Sequence, residues 1–280
     1  MAYTTVNKSS DHYSTKLFQG TGSANSITGV GFQPDLVWIK CRDNNYSHTL
    51  TDSTRGTSKE LYTNNVNSET VYSQGVTAFD SDGFTLGTDA GINNNGGNKV
   101  SWNWKAGTTG SGTTTGSGTG KAYSYSVNTT AGFSIVKYVG NGTAGQTIPH
   151  HLGAVPHTIL LKPLDRTDNW RVYHHKMDGT PKDYHLKLQS TAAKADANDV
   201  WNDTAPTSTV FTLGGNAGVQ ANDEEFIAYC FTEKTGYSRM GSFVGNSSSG
   251  AAAPFIYCGF KPKWFLWKSA TDTTNANWNL

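Results

Sequence analysis

The chain is short of charge, and the charge it has cancels: 22 Lys and Arg stand against 21 Asp and Glu, and charged residues make up only 15% of the sequence. The phosphate-neutralising field that nucleic-acid binding requires is missing, so nucleic acid is not expected as a partner. Cysteine is equally scarce. Cys41, Cys230 and Cys258 are too few for a disulfide framework, and none has the two-residue spacing of a zinc pair. They read as small buried or half-buried residues. No run approaches the roughly 18 apolar residues of a membrane span, and Met1-Ala2-Tyr3 opens no basic, apolar signal segment. The expectation is a soluble chain made in the cytosol, without membrane insertion. Catalytic signatures are also missing. There is no Gly-x-Ser-x-Gly elbow, phosphate loop or two-His Glu helix motif. Asp178, Asp183, Asp223, Glu224 and Glu225 form no recognisable facing pair of the kind glycoside hydrolysis uses. The reading is of a protein that is not an enzyme, with no catalytic residues, no cofactor and no metal.

What the sequence does contain is itself, repeated. Ala2 to Gly22 matches Ala122 to Gly142, with Tyr13-Ser14 over Phe133-Ser134 and Phe18-Gln19-Gly20-Thr21-Gly22 over Tyr138-Val139-Gly140-Asn141-Gly142. A third start appears at Gly236-Tyr237-Ser238 and runs into Phe243-Val244-Gly245-Asn246. Each start is followed by a Gly, a Pro and an apolar run ending in Lys: Gly31 to Lys40 around Pro34, Gly153 to Lys162 around Pro156, and Gly259 to Lys268 around Pro262. Phe84-Thr85-Leu86-Gly87 then matches Phe211-Thr212-Leu213-Gly214, ahead of the aromatic strands ending at Trp104 and Phe231. The third copy has no such second half; either the natural chain is longer, or another subunit supplies the missing strands. Self-similarity at a fixed period makes each copy one folding unit, and an array of like units suits a scaffold or binder more than an enzyme.

Gly is abundant at 31, Ser, Thr and Asn fill the polar positions, and strongly amphipathic helical windows are absent. This is the composition of a turn-rich, all-β protein. The predicted architecture is a tandem of β-sandwich repeats, lectin-like or jelly-roll-like, with long loops: residues 1–104, a linker at 105–121, residues 122–234, and the start of a third, incomplete repeat at 235–280. After each Pro the apolar run reads as a buried strand, and Asp43-Asn44-Asn45 and Asp165 to Asn169 turn the chain into return strands at Ser47 to Thr51 and Trp170 to Tyr173. Thr57 to Ser73 and Lys176 to Asn202 read as long loops, with a short strand at Tyr184 to Leu188 and a helical turn near Ala192 to Ala197. Ala106 to Gly120 holds only Ala, Gly, Thr and Ser, a composition of flexible coil, so the units read as tethered beads unless a neighbouring subunit pins the linker.

Asp80-Ser81-Asp82-Gly83-Phe84 resembles the start of a calcium loop but lacks the later carboxylate, and its counterpart at Pro206 to Phe211 carries no acid. A tight turn feeding the Phe84 strand is the better reading. His150-His151 and His174-His175 are adjacent pairs whose members point to opposite faces of a strand, so they read as surface or interface residues. Aromatics are plentiful: eight Trp, thirteen Tyr and twelve Phe. Trp38, Trp102, Trp104, Trp264 and Trp267 read as core. Trp170, Trp201 and Asn202, in polar surroundings, are the candidate residues for stacking and hydrogen-bonding a glycan or a partner.

Together, Gly31 to Lys40, Phe79 to Gly87, Val100 to Gly107 and Ala228 to Phe231 resemble an uncharacterised repeat domain of structural proteins of marine bacteriophages, cyanophages included. The resemblance implies a virion component made in the host cytoplasm, most often a tail fibre or related appendage, with virion-proximal docking and host-surface adhesion. Its partners would be other tail or capsid proteins, further copies of itself with a homotrimer favoured, and a host-surface glycan. The alternatives are a carbohydrate-binding module using exposed aromatics and a capsid decoration protein.

Overall fold

The computed structural model describes residues 4–246, 252–273 and 277–279. In the first unit the Pro34-led run becomes a strand, as do the segments around it: β1 Tyr13–Gln19, β2 Asn25–Ile27, β3 Leu36–Cys41, β4 Thr49–Asp52, β5 Lys59–Tyr62, β6 Thr70–Val71, β7 Val76–Asp80, β8 Gly83–Leu86, the one-turn helix α1 Ala90–Asn93, and β9 Asn98–Trp104. The chain continues through β10 Thr108–Thr113, β11 Thr115–Gly116 and β12 Ala122–Asn128 into the second unit: β13 Phe133–Val139, β14 Gln146–Pro149, β15 Thr158–Pro163, β16 Arg171–His174, β17 Tyr184–Lys187, β18 Ala195–Asp196, α2 Asn198–Trp201, β19 Val210–Leu213, α3 Ala217–Gln220 and β20 Glu225–Phe231. No helix of the described residues is long and apolar enough to cross a membrane.

The duplication read from the sequence is a duplication of topology. The first large sheet runs β1-β9-β3-β4-β5-β6, and the second repeats that order as β13-β20-β15-β16-β17-β18. Each unit backs its large sheet with a small three-stranded one, β2-β8-β7 in the first and β11-β14-β19 in the second. Pro34 and Pro156 each sit two residues ahead of the strand they introduce, where no ladder N–H is needed. The repeated glycines also have a structural cause. A Cβ on Gly20 would lie 2.3 Å from Asn94 O and one on Gly140 would lie 2.3 Å from Ala221 O, so in both units only glycine lets the end of the first strand meet the C-terminal end of the α1 or α3 turn. Those two turns are capped alike, by Asp89 and Asn216 side chains accepting from Gly91 and Gly218 N–H.

The mid-repeat segments hold more structure than their composition predicts. Thr57 to Ser73 carries β5 and β6, and the helical turn expected near Ala192 to Ala197 falls instead at α2. The larger correction concerns the Ala/Gly/Thr/Ser segment. It is an antiparallel strand, β10, on the edge of the second sheet, paired residue for residue with β12 from Thr108↔Val127 to Thr113↔Ala122. Its glycines are what let it pair: Gly110 lies opposite Tyr125 and Gly112 opposite Tyr123, and each tyrosine ring folds over the bare backbone of its partner. A Cβ at Gly112 would come within 2.8 Å of the Tyr123 hydroxyl. Gly112→Val is therefore expected to displace that ring and lower stability by about 1–3 kcal/mol in urea unfolding, the cost of overpacking. An unchanged midpoint would show that the ring does not cover the strand.

The two units are not tethered beads. Leu36, Trp38, Leu50, Leu61 and Trp104 from the first large sheet form one apolar cluster with Phe133, Ile135, Leu160, Trp170, Val172 and Tyr229 of the second. Alternate residues of the same strands, such as Val37 and Ile39 or Ile159 and Leu161, face their own small sheet. The body thus has four layers, with the small sheets outermost. Both large sheets are covered on both faces, which is why β3, β15 and β20 are near-continuous apolar runs.

The described residues of the third sequence copy do not build a third unit. Among the described residues beyond 234 the chain makes only isolated bridges, Lys234↔Ser238 and Trp267↔Asn279. In both units the Pro-led strand is held between the unit's last strand and its return strand, and the described residues of 235–280 carry no counterpart of β9 or β20. Instead they strap across the seam. Trp264, Leu266, Ala270 and Trp278 pack on the shared cluster, and Trp278 Nε1 donates to Lys187 O at 2.9 Å. Trp267, expected in a core, is 43% exposed because no opposing sheet covers it.

Candidate functional site

The two tryptophans singled out from the sequence for binding are held by the interior, and Asn202 is half-buried. Trp170 and Trp201 are 0% and 1% exposed, so neither presents a ring face on which a soluble glycan could stack. Trp170 is a stitch between units, its indole N–H donating to Tyr62 O at 3.0 Å while its ring stacks on Tyr229. Trp201 packs edge-on against Tyr173 in the second unit's own core. Asn202 ends the α2 turn in the left-handed conformation, φ 53°, a geometrical role that asparagine tolerates. Their polar neighbours made these residues look exposed; which way each ring turns is decided by tertiary packing.

The other candidates also resolve into structure. Asp82 accepts from Gly29 and Gly31 N–H, so the Asp80 to Gly83 segment is the tight turn of the β7–β8 hairpin. His150, read as a surface or interface residue, is fully buried with Nε2 against Thr207 O at 3.1 Å, while His151 stacks on Tyr125 with centroids 3.7 Å apart. Asp183, Glu224 and Glu225 pair with Lys182, Arg166 and Lys137 at 2.6, 2.5 and 2.7 Å. Asp178 and Asp223 pair with Lys194 and Lys121. Each of these carboxylates is thus engaged by a cation.

Two features of the seam were not visible in the sequence. One is a buried ionic cluster. Asp52 Oδ2 accepts from Arg55 Nε at 2.5 Å and from the Tyr229 hydroxyl of the other unit at 2.7 Å, and Arg55 reaches on to Glu69 at 3.0 Å. Its only sequence signal, Asp52 and Arg55 three apart beside a return strand, is too common to read. The other feature is a cavity of about 340 Å³ between the large sheets, walled by Trp38, Trp104, Phe133, Leu160 and Tyr229 and flanked on the outside by strap residues, Tyr237 and Trp264 among them. Four aromatics meet there: Trp104 lies 5.3 Å from Trp264 and 6.4 Å from Phe133, and Trp38 lies 6.3 Å from Trp264. The motifs that build the repeats and the strap also build this pocket.

That whole arrangement, both units and the strap, falls within a single family match covering residues 8–280, described as a domain of unknown function (DUF7483). The chain belongs to the DUF7483 family. No curated protein matches it. For this DUF7483 chain the functional argument rests on the seam.

The seam and its surroundings also set a pH response. Glu60, 1% exposed, has its pKa pushed up to about 7 by burial and then by the nearby Asp89 charge. The folded chain therefore holds a proton that the unfolded chain releases near the ordinary value of 4.5, and stability declines as pH rises between the two. Glu60→Gln is expected to exceed the wild type in stability by about 1–3 kcal/mol at pH 8, the gap closing by pH 4.5, in urea titrations. A gap independent of pH would show that Glu60 binds no extra proton. His48, His150, His174 and His185 act in the opposite sense. Burial lowers each to about 4 from 6.5, so the stability they contribute is complete above 6.5 and lost as pH falls toward 4.

Proposed function

We propose that the chain is a non-enzymatic structural component of a bacteriophage virion, a tail fibre or fibre-like appendage that docks on the particle and contacts the host surface. The observation that carries this reading is the fusion of two like β-sandwich units through a shared apolar core into one rigid block. Such a block resists bending between its units, as a load-bearing part must, and its interior ionic groups serve to join the units. The sequence resemblance to repeat domains of marine phage structural proteins supports the same reading. A homotrimer is the assembly expected of a fibre.

The test is location. Mass spectrometry of purified virions of the encoding phage is expected to find the chain, and gold-labelled antibody against it is expected to mark tail appendages. Absence of the chain from purified particles would overturn the proposal, and label on the head would replace it with capsid decoration. Light scattering of the purified chain should give about three times its 30.1 kDa mass; a monomeric mass would remove the trimer.

A further inference from the structure

We propose that the second large sheet continues into a second copy of this chain through the free edge of β10, with two β10 strands pairing antiparallel about Ser111. The large sheets end on four strands: β1, β6, β10 and β18. β6 and β18 are two residues long and β1 carries Lys16, and short length and lysine are the devices by which sheets guard an edge. β10 has neither. It is six residues long, without charge, proline or bulge, and Thr108, Thr109, Ser111, Gly112 and Thr113 are all exposed. Its one ladder partner among the described residues is β12, so the N–H and C=O groups on its other side are left for a further strand.

What selects a second copy is that the strand reads the same in both directions, Thr109-Gly110-Ser111-Gly112-Thr113. An antiparallel pair centred on Ser111 sets Thr109 opposite Thr113, Gly110 opposite Gly112 and Ser111 opposite itself. Threonine pairs of this kind stabilise a sheet, and no like charges meet. The glycines fix the register. Gly110 and Gly112 lie under the rings of Tyr125 and Tyr123, where a Cβ would come within 2.6 and 2.8 Å of the tyrosine hydroxyls. In the centred register Tyr125, Gly110, then Gly112 and Tyr123 of the second copy stand in one row across the sheet, so the two rings meet over bare backbone. A slip of one residue would bring Thr or Ser side chains into that row, against the ring tips. One short strand is a small contact beside the ~1,200–2,000 Å² of stable interfaces, so the pairing is weak. A twofold contact cannot close a ring of three; it joins one assembly to another, and it stands or falls separately from the virion reading and its trimer.

The experiment is sedimentation equilibrium of the full chain at concentrations from about 10 μM to about 500 μM. The mass is expected to rise toward twice its low-concentration value, whatever that value is. Ser111→Lys places two ammonium groups opposite each other across the twofold and should abolish the rise. The register is read by oxidation. Ser111→Cys brings a thiol opposite its own copy and should form a covalent dimer about tenfold faster than Thr109→Cys, whose opposite residue is Thr113. The wild type, with Cys41 and Cys230 buried and Cys258 half-buried, gives the background rate. A mass independent of concentration overturns the proposal, as does a rise that Ser111→Lys leaves unchanged. Equal rates for the two cysteine variants overturn the pairing about Ser111. If Ser111→Lys loses the wild-type melting transition, the wild-type mass and the two cysteine rates decide.

Discussion

Replacing Arg55 with methionine is expected to lower the free energy of unfolding by about 3–5 kcal/mol, the cost of removing one partner from a buried ion pair. The Arg55 side chain is 1% exposed and that of Asp52 is 0% exposed, so water cannot screen the charge left behind. Asp52 would keep its bonds from the Tyr229 hydroxyl and from the backbone N–H groups of Thr54 and Arg55, but these do not neutralise it. Glu69 would keep Lys59 at 2.6 Å, on a partly exposed lysine, and lose its inner partner. The double variant Asp52→Asn, Arg55→Met removes both charges and should recover part of the loss, a coupling that a double-mutant cycle in urea measures directly. A single-variant loss under about 1 kcal/mol would mean the cluster is wet and contributes as a surface pair does.

Trp104→Ala is expected to cost about 3–5 kcal/mol, the range for deleting a buried aromatic, and to do so for the whole body at once. Trp104 is 7% exposed and lies at the meeting point of three parts of the chain: Tyr13 in its own sheet at 5.0 Å, Phe133 and Phe231 in the second unit at 6.4 Å each, and Trp264 in the strap at 5.3 Å. Because these parts share one core, the wild type should melt in a single calorimetric transition and the variant in a single, lower one. Two separated transitions, with only the first unit's moved by the substitution, would show that the units fold independently across a weak interface.

The repeat, the strands led by Pro34 and Pro156 and the return strands at β4 and β16 were legible because they depend on local chemistry: a missing proline N–H, Asx turns and apolar runs. The contact between units was not. A strand covered on both faces loses the alternation that would reveal which residues look outward, so Leu36 and Val37 read alike although they serve different cores. Nor was β10 legible, since nothing in Gly110 and Gly112 themselves indicates that Tyr125 and Tyr123 stand opposite. Trp170 and Trp201 were misplaced for a related reason. Their flanking Asn and Asp residues keep some exposure to solvent, but burial is decided side chain by side chain.

The joint between the units also limits how this architecture can grow. Equivalent faces of two equivalent sheets meet, so the association uses up the same surface on each partner, as an isologous contact does, and no like face is left over. What remains outermost are the small sheets, β2-β8-β7 and β11-β14-β19. Extension by this contact therefore comes in couples and never by adding one more bead to a string. An odd copy meets a surface already occupied, which is where the described residues of the strap lie.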